Sequence, residues 1–469
     1  MKKTKKYYFI GIGGIAMGTL AGMLKTKGHI VAGSDQGVYP PMSDMLKEQK
    51  IKIFSPYNEF HVKTFKPDIV VVGNTIKRGN PELEYVISKG QIYRSLPDVL
   101  REEIIESKKL LPIVVTGTHG KTTTTALIAW ILECAGLDPT IFCGGFTRNF
   151  NSSFKLGNGK YVIIEGDEYT TSFFDKNPKF FHYRPYIGII NNIEHDHLDV
   201  YSSINDTKNV FSKFINLIPK NGKLIINADD KNINDIVKNV SYETFGLNSG
   251  NLIAKNITFG QTGTTFNMFN VKHDLGKFHM KLAGSFNVYN CLAAISTSLA
   301  LNIPVSRIKN AIATFDGVVR RAEFLGEKNG KTVINDYAHH PTAVRETIKA
   351  IRAKFHGNRI IALFEPGSSS SRMKIFEKPY VEALANADIA YIYKPFLPFN
   401  LKQTSRSSGL FSQNRVSREI IRLGKKSRSC DSIDKLLFHL KQETRPNDVL
   451  IIMSCRGFGG LKDKIWTAL

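Results

Sequence analysis

The residues best suited to chemistry sit in short polar runs, each placed just after an apolar stretch. Gly117-Thr118-His119-Gly120-Lys121-Thr122 stands between the apolar segment Pro112–Val115 and an apolar helical stretch Thr122–Ala135. A strand, loop and helix in this order turn backbone N–H groups and the positive end of the helix dipole toward a phosphate chain. Lys121 can reach terminal phosphates, and the Thr122 hydroxyl can bind Mg²⁺. The leading glycine of the commonest P-loop spacing is missing, but the lysine and the hydroxyl stand where nucleotide binding needs them.

Such a loop needs an acidic partner at the end of a neighbouring strand, because open α/β sheets bind ligands beyond the carboxyl ends of their strands. Glu165-Gly166-Asp167-Glu168 follows the apolar segment Tyr161–Ile164. Glu168 is the first choice as a ligand for a hard cation, with Asp167 and Glu165 behind it. A third run, Asn192-Ile193-Glu194-His195-Asp196-His197-Leu198-Asp199, follows Tyr186–Ile190. His195 and His197 could form a transition-metal pair. Their place at a strand end beside the phosphate loop favours a catalytic loop in which one His meets a second Mg²⁺.

A fourth run, Gly11-Ile12-Gly13-Gly14-Ile15-Ala16-Met17-Gly18, has the form of a dinucleotide turn. Alone it says only that a phosphate can approach a helix start. With the ATP loop downstream, a nucleotide-diphosphate substrate suits it better than NAD, which stays as the alternative.

The elements that must position these runs follow a βαβ rhythm. Strands are expected at Tyr7–Ile12, His29–Gly33 and Asp68–Gly73, with a helix at Pro81–Lys89 and a charged helix at Asp98–Lys109. The pattern restarts at Pro112 and again near Arg320, with strands at Thr332–Ile334, Arg359–Phe364, Ile389–Tyr393 and Val449–Met453. That rhythm predicts an α/β protein built on parallel sheets. Residues 251–281 read as a small antiparallel annex, and Gln403–Arg418 as a long polar loop.

A chain of 469 residues exceeds one core and suggests about three domains. The formal charge of +23 comes from 64 Lys and Arg against 41 Asp and Glu, scattered through the chain. A nucleic-acid-stimulated ATPase would need basic and aromatic residues interleaved along one surface, and no such pattern is present. The expected partners are small polyanionic molecules rather than nucleic acid. Five irregularly spaced cysteines without CxxC argue against a disulfide framework or a zinc site and fit the cytoplasm. The basic start and apolar run Tyr7–Leu24 are interrupted by glycines, so no membrane insertion is expected.

Seven motifs in order, GIGGIAMG, TGTHGKTTTT, EGDE, NNIEHDHLD, GSFNVYNCLAA, RRAEF and DYAHHPT, resemble the Mur ligases of peptidoglycan synthesis over essentially the whole chain. The resemblance implies three domains: an N-terminal Rossmann-like UDP-substrate domain (1–108), a central P-loop ATPase-like parallel sheet (109–317) and a C-terminal Rossmann-like amine-substrate domain (318–469). It implies ATP and Mg²⁺; a monomer or weak homo-oligomer is expected. Catalytic roles then fall to Lys121, Glu168, His197, Arg320 and Arg321, with Thr122, Glu168 and His197 as metal ligands. ATP would be held by Gly117, Thr118, His119, Gly120, Lys121, Thr122, Thr123, Asn287, Asn290 and Asp336. The UDP-sugar would be held by Gly11, Gly13, Gly14, Met17, Ser34, Asp35, Asn74, Asn80, Asn192, His339 and His340.

Within the family, Phe173-Phe174-Asp175-Lys176 and His182-Tyr183-Arg184-Pro185 are similar to the branch that attaches the tripeptide L-Ala-γ-D-Glu-meso-diaminopimelate to UDP-N-acetylmuramate. The branch that attaches L-alanine stands next. The chain departs from the family at Gly367, where the recycling branch commonly has Arg, at Cys455-Arg456, where Asn-Gly is usual, and at Phe286, where His precedes Asn287.

Overall fold

The computed structural model describes residues 4–198, 200–237, 240–271, 273–395 and 409–469, arranged around three sheets of mostly parallel strands. The first has five parallel strands in the order Lys52–Phe54, Ile30–Ser34, Lys6–Ile10, Ile69–Val72 and Tyr93–Ser95. Ile10 pairs with both Ser34 and Val72, so Gly11, Asp35 and Gly73 emerge together at one edge. The expected charged helix is helical but irregular: Leu96–Leu100 continues through a π turn at Arg101–Ile105. Glu103, in that turn, accepts hydrogen bonds from Tyr7 Oη (2.8 Å) and Lys5 Nζ (2.7 Å).

The central sheet has ten strands. Leu111–Thr116 lies between Ile187–Ile190 and Tyr161–Glu165, all parallel, and their register ends Thr116, Ile190 and Glu165 at nearly one level. The three polar runs read from the sequence therefore leave the sheet side by side. The annex is antiparallel as expected, but its strands Leu252–Gly260, Gly263–Asn270 and His273–Met280 extend the central sheet rather than standing apart. Alternation along the strands divides the core, as the period-2 geometry of a strand requires. Ile113, Val115 and Ile163 face the helices Lys121–Cys134 and Ser285–Ala300, while Val114, Val162 and Ile164 face the opposite side.

On that opposite side the apolar cluster runs on into the N-terminal unit. Leu20, Ala21, Met42, Met45, Phe142, Phe154 and Ile164 belong to one continuous core. Close contact is possible because helix Ile15–Thr26 carries Gly22. A Cβ there would lie 2.6 Å from Phe154 Cε1. Thr19 and Ser153 hydroxyls share a hydrogen bond of 2.7 Å within the same contact.

The C-terminal sheet has the order Glu323–Lys328, Lys331–Asp336, Asp448–Met453, Arg359–Phe364, Ile389–Tyr393 and Lys426–Cys430, and only the first strand is antiparallel. Its apolar clusters are its own. The polar stretch expected as a loop is corrected in part: Gln413–Arg422 is a helix. Ser412 caps it, Val416 and Ile420 are buried, and Arg415, Arg418, Glu419 and Arg422 face outward, which hid the period in the composition. Residues 403–408 of that stretch lie outside the described residues, as does Asp199.

Candidate active site

The phosphate loop is built on two left-handed glycines, Gly117 (φ +127°) and Gly120 (φ +82°). Besides the backbone angle, position 120 has no room: a Cβ would stand 2.1 Å from Asn290 Oδ1. Asn192 clamps the loop from the neighbouring strand, accepting from His119 N (2.7 Å) and donating to His119 O (3.2 Å). Lys121 Nζ donates to Gly117 O (2.6 Å) and to Glu168 (2.9 Å). Burial alone would lower the Lys121 pKa, but Glu168, Asp167 and Glu165 outweigh it and hold the ammonium above its ordinary value.

The three acids of the second run divide into three roles. Glu165 is pushed up by burial and by Asp167; it accepts from Thr122 Oγ1 (3.0 Å) and Gly144 N (2.8 Å). Asp167 stays low despite burial because Lys179 pairs with it at 3.0 Å. Glu168 is buried too, yet Lys121 and His197 keep it ionised. His197 reaches Glu168 at 3.4 Å from a left-handed backbone (φ +53°), whereas His195 turns toward Tyr201 O at 3.2 Å. The two imidazoles thus part, because the chain leaves the extended form at His197.

The third sheet closes over this group. Arg321 Nη2 reaches Thr122 Oγ1 at 3.1 Å, while Arg320 is occupied with Ser454 O (2.7 Å) and Arg456 O (2.8 Å). Asp336 spends its oxygens on Ala322 N (2.6 Å), Ala338 N (2.7 Å) and Thr347 Oγ1 (3.3 Å), so it fixes the turn that aims the two arginines. Ser370 Oγ donates to Asp196 (2.6 Å) and Thr342 Oγ1 to Glu194 (2.8 Å). Burial would raise Glu194, but His119, His340 and Thr342 bring it down to about 2. Burial lowers His339 to about 4, against the pull of Asp196.

These elements line one cleft of about 1150 Å³. Thr118, His119, Gly120, Lys121, Thr122, Thr123, Asn287, Asn290, Asp336, His197, Arg320 and Arg321 are on its wall, as are Gly13, Gly14, Met17, Asn74, Asn192, His339 and His340. Asn290 Nδ2 donates to Asn287 Oδ1 (3.1 Å), and Asn287 Nδ2 to Ala283 O (2.8 Å). Gly117, Glu168, Gly11, Ser34, Asp35 and Asn80 are not among the residues of its wall. Ser34 gives its hydroxyl to buried Glu82, and Asn80 caps helix Pro81–Ser88, so both serve the N-terminal fold. Asp35 accepts from Gly13 N (2.8 Å), which shapes the glycine turn from behind.

Comparison with known proteins decides what this geometry belongs to. Family models match in chain order: the Mur ligase family catalytic domain over residues 6–107, the Mur ligase middle domain over 115–298 and the glutamate ligase domain over 320–456. The chain belongs to the Mur ligase family. It is an ATP-dependent ligase that forms an amide bond. A UDP-N-acetylmuramate–L-alanine ligase of Clostridium tetani is 38% identical over 97% of this chain and 96% of its own. A UDP-N-acetylmuramate–L-alanyl-γ-D-glutamyl-meso-2,6-diaminoheptandioate ligase of Haemophilus influenzae is 34% identical over 98% of each. Among solved structures, a murein peptide ligase of Psychrobacter arcticus superposes with a TM-score of 0.75 at 31% identity, covering 99% of this chain and 98% of that one.

The structure gives roles to three features that the sequence motifs left without one. The stretch resembling the recycling branch does not line the cleft. Phe173 and Phe174 pack on Tyr93 with ring centres 6.3 and 5.0 Å away, and His182 lies 2.8 Å from Asp175 and 3.4 Å from Asp98. It is a clasp between the N-terminal and central units. Lys179, which belongs to none of the motifs, is buried in the cleft wall, paired with Asp167 and 4.2 Å from the centre of the Tyr169 ring. A lone lysine beside Phe180-Phe181 is the only signal the sequence offers for it. Glu194, to which its motif gives no role, joins three residues: His119, His340 and Thr342.

Proposed function

We propose that this Mur ligase joins the lactyl carboxylate of UDP-N-acetylmuramate to the free amine of L-Ala-γ-D-Glu-meso-diaminopimelate, using ATP. The carboxylate attacks the γ-phosphate and ADP leaves. The amine attacks the acyl carbon of the resulting acyl phosphate, and the tetrahedral intermediate expels phosphate. Phosphoryl transfer asks a protein mainly for positioning and charge neutralisation. Lys121 and the loop amides hold the phosphates, and Arg321 brings a second cation from the opposite wall. The hydroxyl of Thr122 and the carboxylate of Glu168, with His197 beside it, suit a hard cation, so these residues would hold Mg²⁺. Bound there, Mg²⁺ would neutralise charge on the phosphoryl oxygens. The Arg321–Thr122 contact, 3.1 Å across the cleft, is the observation on which this reading rests.

The tripeptide assignment draws on the C-terminal wall. Gly367, Cys455 and Arg456 line the cleft, and a Cβ on Gly367 would lie 3.2 Å from Arg456 Cγ. Arg456 Nε donates to Gly367 O at 2.8 Å. The arginine missing at 367 is thus matched by one packed directly over it, on the wall of the cleft. The second reading, an L-alanine ligase, is favoured by the 38% identical relative. ADP release measured with UDP-N-acetylmuramate and each amine in turn separates them, the tripeptide being expected to give the higher kcat/KM. A tenfold preference for L-alanine, about 1.4 kcal/mol in the transition state, would overturn the amine assignment and leave the ligase reading intact.

A further inference from the structure

Glu194 faces two imidazoles at distances longer than a good hydrogen bond. His119 Nε2 lies 3.4 Å from Glu194 Oε2, and His340 Nδ1 lies 3.7 Å from the same oxygen. Both separations exceed a good N–H···O bond, about 2.7–3.2 Å. They are close to the spacing of about 3.3 Å between two ligands on a tetrahedral ion with bonds near 2.0–2.1 Å. One donor atom from each of the three residues falls within 4.8 Å of the other two. His340 is 7% exposed, and His119 Nε2, the ring atom that faces Glu194, is buried without a hydrogen-bond partner among the described residues. Buried polar atoms left in this way are uncommon and costly.

We propose that His119, Glu194 and His340 form a second cation site, selective for a borderline divalent ion such as Zn²⁺ and separate from the oxygen-rich Mg²⁺ group at Thr122 and Glu168. Two imidazoles and one carboxylate are a familiar donor set for zinc, with a fourth position left for water or a phosphate oxygen. The outer contacts are in place: Thr342 Oγ1 donates to Glu194 Oε2 at 2.8 Å, and Glu194 N donates to Thr118 Oγ1 at 2.8 Å. Such support fixes ligand orientation. The competing contact is Thr342 N to His340 Nδ1, long at 3.4 Å. Because His119 and Glu194 come from the central unit and His340 from the C-terminal one, the ion would fasten the two together.

The test is titration of the full-length protein with Zn²⁺ in excess Mg²⁺, followed by calorimetry, with Co²⁺ absorption as a readout of tetrahedral geometry. Stoichiometric binding and a rise in Tm are expected. Glu194→Gln and His340→Asn should weaken binding by at least about 100-fold, because each removes a direct ligand where loss of a mere supporting group already costs about 10- to 100-fold, and His197→Asn should not. Tm without metal reports whether each variant folds, and either variant suffices if the other does not. The site is refuted if the wild type takes up no stoichiometric Zn²⁺. It is equally refuted if binding survives in a folded His340→Asn or Glu194→Gln protein, or is lost in His197→Asn.

Discussion

The two seams of this Mur ligase are built from opposite materials. Between the N-terminal and central units the contact is mainly apolar and continuous with both cores, with Gly22 set against Phe154 and Met45 beside them, and polar pairs such as Thr19–Ser153 and His182–Asp98 are few. Between the central and C-terminal units the contacts described are polar: Arg321 on Thr122, Ser370 on Asp196, Thr342 on Glu194. Apolar burial is roughly proportional to area and indifferent to direction, so the first seam holds two units as one body. Charge-assisted hydrogen bonds depend on geometry and exchange readily with water or ligand. The second seam is therefore the one whose closure substrates can govern. It is also where most of the chemistry lies.

The sharpest way to break this contrast is Lys121→Ala. It removes the cation from a buried pair as well as from the phosphate loop, and uncompensated burial of Glu168 costs about 3–5 kcal/mol. Ligation should be abolished while a titration with UDP-N-acetylmuramate stays nearly unchanged. Equal loss of nucleotide-sugar affinity would contradict the division between units. Phe154→Ala attacks the other seam and should lower stability by about 3–5 kcal/mol with far less effect on kcat per folded molecule. A variant that melts normally but turns over slowly would reverse the assignment of roles.

Arg321→Ala should reduce kcat about 10²- to 10³-fold, the scale for removing one donor to developing charge. Arg320→Ala, whose guanidinium holds Ser454 O and Arg456 O, should reduce it less; matched losses from steady-state kinetics would mean that both arginines face the phosphates. The smallest effect concerns the fringe of the apolar seam. Burial would raise Asp98, but His182, Ser95 and Arg101 bring it from 3.8 down to about 2. A depressed carboxyl contributes stability above its unfolded pKa and loses it as pH falls through the folded value. Asp98→Asn should flatten the pH dependence of Tm between these two values, removing about 2 kcal/mol of acid sensitivity. An unchanged profile would remove Asp98 from the seam's balance.

Much of the site was legible because its residues occupy strand ends, and strand ends are marked by runs of Ile and Val. Ile113-Val114-Val115 and Ile187–Ile190 announce a buried parallel sheet, and the residues just past such strands emerge on one edge. The choice between Arg320 and Arg321 was not legible. Adjacent residues leave a turn in different directions, and only the Asp336 contacts with Ala322 N and Ala338 N decide which one crosses the cleft. Asn80 and Ser34, expected at the UDP-sugar, make contacts within the N-terminal unit, because polar residues beside a glycine turn serve the fold as readily as a ligand. The clasp at Phe173-Phe174 carries the family likeness, but its contacts are with Tyr93.

The glycine of helix Ile15–Thr26 sets an order on synthesis as well as on packing. Leu20, Met42 and Met45 leave the ribosome more than a hundred residues before Phe154, the side chain that covers Gly22. Until strands Thr140–Thr147 and Ser152–Lys155 have formed, that face of the N-terminal unit stays open to water. A cut at the first seam would expose Leu20, Met42 and Met45 to water, so the boundary between the first two units marks a change of topology and not a place to divide the gene.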